Sequence, residues 1–283
     1  MERFELVPLR NGITSLRCLE TRETFHPCIG PEAEAKLLHV EQQSLAERAS
    51  RISDFHLWDV GLGAGANAIA AIRSFQRELP LSSSVLIQSF DKSTAPMEFA
   101  LQHAQALGYV EGFEGAIREL LNRGSVQIAS NITWRLRGDF TQEVSDLNLR
   151  APDAIFYDPY SVRGNSEMWS LETFTKLYQK LDPTRACLLS NYTNSTYVRV
   201  TLLLAGFYVG MGRAIDKKNQ TTMATNQYDL LVKPLDRDWL EKRVRVSHSA
   251  APVRHHPHII APIGEADYEA LRAHPQFNMF RHL

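Results

Sequence analysis

Residues 55–79 read FHLWDVGLGAGANAIAAIRSFQREL, and this stretch decides the fold. Phe55–Val60 is a short apolar run of strand length. It feeds Gly61-Leu62-Gly63-Ala64-Gly65, which opens directly into a good helix by propensity. Glycine permits tight backbone angles and lets a ligand approach the main chain closely. In open α/β sheets ligands lie at the carboxyl ends of strands, so this turn is a candidate cofactor floor. Its spacing is G-x-G-x-G; Ala66 occupies the last glycine position of the dinucleotide pattern G-x-G-x-x-G. No G-x-x-x-x-G-K-[ST] phosphate loop occurs. A tight connection without a ligand is the competing reading of the glycines alone.

Outward from that unit, strands and helices alternate. VLIQSF (85–90) reads as a strand, and helices follow from Pro96 to about Leu107 and on to Leu121. VQIAS, ITWRLRG and DAIFYD (153–158) read as strands, 167–181 as a helix, ACLLSNY (186–192) as a strand and 195–205 as a helix. FYVGMG and YDLLVK, separated by a polar loop 213–227, read as a terminal antiparallel pair. Such alternation implies an α/β fold with a mostly parallel sheet covered on both faces. Upstream, two apolar runs flank Asn11-Gly12, a hairpin signal, and a helix is expected from Pro31 to Ala49. The expected organisation is an accessory region 1–50, a sheet domain 51–234 and a basic, histidine-bearing extension 235–283.

Acids stand at successive strand tips. Asp91 ends the second strand, where a carboxylate can hold a ribose diol. Asp139 follows WRLRG and is placed to meet an adenine amino group; both acids read equally well as helix N-caps. In 158-DPYSVRGNSEMW-169, Asp158 can orient an amine and accept its proton, and Tyr160 can wall the pocket. The competing readings are an Asp-Pro turn and, for Trp169, a core anchor. The tail 248-HSAAPVRHHPH-258 matches no standard zinc spacing, so no metal is expected.

These segments together resemble the MnmD type of tRNA methyltransferase, the domain also found at the N-terminus of the bifunctional enzyme MnmC. The resemblance rests on DVGLGAGAN, the acids of SFDKS and RGDF, and above all DAIFYDPYSVRGNSEMW. The upstream ETFHPCIGPEAEAKLLHVEQQSLAER and the downstream LLAGFYVGMGRA are similar to further segments of that family. Val162 and Ser166 stand where the family usually has proline. The resemblance implies a class I, Rossmann-like methyltransferase fold using S-adenosylmethionine. It implies methylation of the aminomethyl nitrogen of 5-aminomethyl-(2-thio)uridine at the wobble position of tRNA. Gly61, Gly63, Gly65 and Asn67 would then line the donor pocket, with Asp91 on the ribose, Asp139 on the adenine side and Asp158 beside the methyl group, facing the amine next to Tyr160. Glu34 and Asn165 would face substrate, and Arg213, Lys217, Lys242, Arg243, Arg245 and Arg254 the RNA of an anticodon stem-loop. The flavin oxidase half of MnmC has no counterpart, so neither FAD nor oxidoreductase activity is expected.

Composition sets the bounds. The 283 residues carry 31 basic and 32 acidic side chains, net −1, so RNA binding would need local patches. No apolar run approaches the roughly 20 residues of a membrane span. Cys18, Cys28 and Cys187 are odd in number and form no C-x-x-C, which points to a reducing cytoplasm. The alternatives to the RNA methyltransferase are a methyltransferase of the same fold for a small-molecule or protein amine, and a non-catalytic donor-binding partner subunit.

Overall fold

The computed structural model describes residues 3–215 and 220–278. Its strands are β1 (Phe4–Pro8), β2 (Thr14–Cys18), β3 (Asp54–Val60), β4 (Ser84–Phe90), β5 (Ser125–Ala129), β6 (Ile132–Arg137), β7 (Ala154–Tyr157), β8 (Leu188–Asn191), β9 (Tyr208–Ala214) and β10 (Gln220–Thr225). β1 and β2 form the expected hairpin. The other eight make one sheet in the order β5-β6-β4-β3-β7-β8-β10-β9. Strands β6, β4, β3, β7 and β8 run parallel, and antiparallel neighbours close both edges. From β3 the chain moves outward to β4 and β6, then returns to β7 on the other side of β3. The strand order therefore reverses between β3 and β7, and a crevice opens at their carboxyl ends.

Alternation along the central strands builds two cores. Phe55 and Leu57 of β3, with Ala154 and Phe156 of β7, face one layer; Trp58 and Val60, with Ile155 and Tyr157, face the other. The first layer includes the helices Ala66–Glu78 and Glu114–Arg123 and residues Leu16, Ala35 and Val40 of the N-terminal region. The second includes the helices Leu171–Lys180 and Thr196–Leu204 and tail residues Leu235, Trp239, Val253 and Leu271. Residues before β3 and after β10 thus pack into the cores of the central sheet. Asp153, fully buried at the foot of β7, is held by Arg185 at 2.8 and 2.6 Å.

Two expectations are corrected. The partner of β9 is Gln220–Thr225, not YDLLVK; Tyr228–Leu230 is a single 3-10 turn and Val232 is fully exposed. The threonines of β10 are buried because their hydroxyls are satisfied: Thr222 Oγ1 donates to Thr193 O and Thr225 Oγ1 to Cys187 O. The helix expected over Pro31–Ala49 is broken into Pro31–Ala35, a π-helical turn Lys36–Glu41 and Leu45–Ser50, with Ser44 left-handed at φ 48°. The break turns the side chains of His39 and Gln43 onto the sheet, where both reach Ser190 of β8.

Candidate active site

At the switch point the backbones of the two crevice walls touch. A Cβ on Gly61 would stand 2.7 Å from the carbonyl oxygen of Asp158, and Gly61 has φ +95°, so only glycine is tolerated there. The amides of Gly61 and Leu62 donate to Phe90 O, and Gly63 N donates to Asp91 Oδ2 at 3.0 Å. The turn is thereby tied to the tip of β4.

Above it lies a cavity of about 970 Å³, lined by Gly61, Gly63, Asn67, Asp91, Asp139, Asp158, Tyr160, Asn165 and Glu34 among others. Nine of the residues singled out in the sequence therefore meet in one place. Asp91 also accepts from Ser93 N at 3.2 Å. Asp139 both lines the cavity and caps the short helix Phe140–Glu143, its Oδ1 accepting from Thr141 N at 2.9 Å and Thr141 Oγ1 at 2.8 Å. A carboxylate offers about four acceptor positions, more than the one N–H and one O–H that bond to Asp139 Oδ1. Trp169 is a core residue, fully buried, and its Nε1–H holds Tyr160 O at 2.8 Å.

Asp158 is the centre of the arrangement. Its side chain is 15% exposed. Asn67 Nδ2 donates to Oδ2 at 2.7 Å, and His26 Nε2 and His39 Nε2 approach the same oxygen at 3.9 and 4.0 Å. Among the described residues all these contacts converge on Oδ2, which leaves Oδ1 for a substrate. Burial alone would raise the Asp158 carboxyl; His39, His26 and the Asn67 amide outweigh it and hold the group below its ordinary value. The His39 imidazole is also held below its ordinary value, since complete burial disfavours its charged form more than Asp158 favours it. Beneath the turn, Asp59 is fully buried and bonded by Ser89 Oγ at 2.7 Å. Burial, reinforced by Asp158 and Asp91, pushes Asp59 up to about 8.

An N-terminal strap covers one side. Phe25 stands edge-on to Tyr160 at 5.6 Å and against Gly63, and Glu23 accepts from Ser161 N at 3.1 Å and Ser161 Oγ at 2.6 Å. His26 holds a left-handed φ of 45°, uncommon for a side chain of its size. Sequence reasoning missed Phe25, His26 and His39. ETFHP carried a signal for the first two; His39, between Leu38 and Val40, looks like part of an apolar helix face.

The roles of Glu34, Gly65 and the basic candidates are set by other contacts. Gly65 is absent from the cavity wall: a Cβ there would meet Met97, so its smallness serves helix packing. Glu34 lines the cavity, but its Oε1 caps the strap, accepting from Cys28 N and, at 2.9 Å, Ile29 N. Lys242 pairs with Asp238 and Arg254 with Asp267, both at 2.6 Å; Arg245 lies over the Tyr268 ring, and Arg243 is exposed. None of these four lines the cavity. Arg213 is exposed on β9, its amide bonded to Gln42 Oε1, and Lys217 lies outside the described residues. Lys92 and Arg163, both exposed, line the cavity and make no ion pair among the described residues. In the tail, His256 bonds Ser166 of the Asp158 loop. Among the described residues no three His, Cys, Asp or Glu side chains cluster as a metal site, and no helix is long and apolar enough to cross a membrane.

Comparison with known proteins bears on the same region. The profile of a family described as S-adenosyl-L-methionine-dependent methyltransferase matches residues 117–227. The chain is 28% identical over 189 residues to the tRNA 5-methylaminomethyl-2-thiouridine biosynthesis bifunctional protein MnmC of Pseudomonas fluorescens Pf-5, covering 62% of this chain and 28% of that protein. It is 26% identical over 230 residues to the MnmC protein of Pseudomonas syringae pv. syringae, covering 74% and 33%. The chain thus spans about a third or less of the length of these relatives. Among solved structures, MNMC2 from Aquifex aeolicus superposes with a TM-score of 0.72 at 24% identity, covering 96% of this chain and 85% of that one. A spermidine synthase in complex with the transition-state analogue AdoDATO superposes at 0.53 with 10% identity, covering 96% and 86%. The fold is that of class I methyltransferases, and the chain is MnmC/MnmD-like in both sequence and structure.

Proposed function

We propose that the chain is an S-adenosylmethionine-dependent N-methyltransferase acting on the aminomethyl nitrogen of 5-aminomethyl-(2-thio)uridine at the wobble position of tRNA. The observation that carries this reading is the Asp158 carboxylate, braced on one oxygen and bare toward a cavity floored by the Gly61–Gly63 turn. The residues fit the donor. The cavity has the volume for a nucleoside with an amino-acid arm, and Asp91 and Asp139 stand along it as acceptors. The buried Asn67 Oδ1 has no hydrogen-bond partner among the described residues and suits an amino group. S-adenosylmethionine, when bound, supplies an electrophilic methyl group.

Methyl transfer needs a neutral nitrogen lone pair held near 3–3.5 Å from carbon. An alkyl amine is mostly protonated at pH 7, as the lysine reference near 10.4 indicates. Asp158 binds the ammonium through Oδ1 and fixes its direction. Its lowered pKa makes it a strong anchor and a weak proton store, so the proton passes on to water before the lone pair is used. Tyr160 and Phe25 wall the pocket on the strap side. The tRNA substrate is supported by the MnmC relatives, whose name specifies tRNA 5-methylaminomethyl-2-thiouridine biosynthesis. Arg22, Lys92 and Arg163 at the cavity are the cations best placed for phosphate.

A second reading, transfer to a small-molecule amine, is favoured by the net charge of −1 and by tail cations already paired with acids. The test is methyl transfer by the purified chain to tRNA carrying 5-aminomethyl-2-thiouridine, read by nucleoside mass spectrometry. Gain of one methyl on that nucleoside is expected. No gain, with transfer to polyamines instead, establishes the second reading.

A further inference from the structure

His39 is a buried histidine with one satisfied nitrogen and one aimed at the site. Its ring is fully buried and stacks on Phe156 of β7, centroids 4.6 Å apart and planes 25° apart. It sits in the π-helical turn Lys36–Glu41, a form enriched at functional sites. Nδ1 lies 2.8 Å from Ser190 Oγ. Nε2 has no hydrogen-bond partner within 3.5 Å among the described residues, and Asp158 Oδ2 faces it at 4.0 Å.

The neighbours decide which nitrogen carries the proton. Gln43 Nε2 donates to Ile155 O at 3.0 Å, which fixes the orientation of its amide. The same nitrogen donates to Ser190 Oγ at 2.7 Å. Arg48 approaches Gln43 Oε1 at 3.5 Å and is itself anchored on Asp153 O at 2.7 Å and Ala186 O at 3.0 Å. Ser190 therefore receives a hydrogen bond from Gln43, and the acceptor within reach of its own O–H is His39 Nδ1. A neutral imidazole that accepts at Nδ1 carries its hydrogen on Nε2. The opposite tautomer would strand the Ser190 proton and turn a lone pair toward a carboxylate.

We propose that His39 is a positioning residue for Asp158: Gln43 and Ser190 fix its ring as the Nε2–H tautomer and keep that N–H aimed at the carboxylate. With Asn67 and His26 it loads Oδ2 and reserves Oδ1 for the amine, an inference that rests on the methyltransferase reading above. The 4.0 Å gap is of the kind that shortens when a substrate closes the site.

The test reads the protein without substrate first. In the full chain labelled with 15N-histidine and 13C-aspartate, ring 15N shifts report the His39 tautomer. The 13Cγ signal reports Asp158, assigned by its loss in Asp158→Asn. The Nε2–H tautomer is expected, with mixing of tautomers in Ser190→Ala. In His39→Phe, which keeps the stack on Phe156, the Asp158 midpoint should rise by about one pH unit. His39→Gln, which returns an N–H near the Nε2 position, should reverse that rise. The groups facing Asp158 from the other elements are His26, Asn67, Asp59 and Tyr192, all retained. With the tRNA substrate, kcat should fall about ten-fold or more in His39→Phe while S-adenosylmethionine affinity holds. Should His39→Phe not fold, Ser190→Ala must still shift the midpoint upward. An Nδ1–H tautomer, or an Asp158 midpoint unmoved in the variants, overturns the proposal. Expected shifts without any methyl transfer to tRNA would instead discard the substrate and keep His39 in its role.

Discussion

Asn67 Nδ2 donates to Asp158 Oδ2 at 2.7 Å, so the helix that follows the glycine turn holds the carboxylate at the tip of β7. Two residues 91 apart in sequence close the crevice in this way. Asp158→Asn keeps the shape and loses the charge. The variant should fold and bind S-adenosylmethionine with near-wild-type affinity in calorimetry. Its kcat should fall by about 10²-fold or more. Near-wild-type turnover at saturating substrate would place the active centre elsewhere.

The two cavity glycines should respond differently. Gly61→Ala drives a Cβ into the Asp158 backbone at a positive φ and should abolish both donor binding and much of the stability. At Gly63 a Cβ meets the Phe25 ring, at 2.7 Å, so the first effect of Gly63→Ala is to displace the strap. Adding Phe25→Leu to Gly63→Ala should recover part of the lost affinity. No recovery would mean that the φ of +50° alone sets the loss.

Asp59 gives a pH signature to stability. Its folded pKa, about 8, lies above the unfolded value near 3.9. The native state therefore holds the proton more tightly, and the associated stability is full below the unfolded value. It is lost progressively as pH rises toward about 8. Asp59→Asn mimics the protonated form, keeps an acceptor for Ser89 and removes that loss. The melting temperature of the variant should exceed wild type by a margin that widens between about pH 5 and 8. Parallel curves would show that Asp59 does not titrate in this range.

The tail cations and the cavity cations make opposite predictions. Lys242→Ala with Arg254→Ala breaks exposed ion pairs with Asp238 and Asp267, and should leave the KM for tRNA and its salt dependence nearly unchanged. Arg163→Ala with Lys92→Ala should raise that KM and flatten its dependence on salt, because phosphate contacts release counterions. Kinetics across a salt series distinguish the two, and the reverse pattern would return RNA binding to the tail.

Arg185 holds both oxygens of Asp153 at the foot of β7. Arg185→Ala strands the fully buried Asp153 carboxylate and should lower unfolding free energy by about 3 kcal/mol, the lower end for a broken buried pair. Denaturant unfolding at neutral pH measures it. A loss under about 1 kcal/mol would mean that the half-exposed guanidinium is replaced by water.

Strand, glycine turn and helix were legible over residues 55–79, because each is set by local pattern: an apolar run, residues free to take positive φ, a helix former. The acids at strand tips were legible too, since α/β order sends every parallel strand toward the same edge. Misread elements were those where local pattern and burial part company. YDLLVK looks apolar and has no buried residue, while QTTMAT looks polar and is buried because neighbours satisfy its hydroxyls.

Sequence by itself determined the α/β class, the glycine floor and the candidacy of Asp91, Asp139 and Asp158, all of which follow from residue type and position at the ends of successive strands. Tertiary structure alone decided that His26 and His39 converge on Asp158, that Gly65 serves packing against Met97, and that Lys242 and Arg254 of the tail pair with acids. The physical reason is distance along the chain. His39 meets Ser190 across 151 residues, and no local pattern encodes which side chains the sheet order will bring within a hydrogen bond of each other.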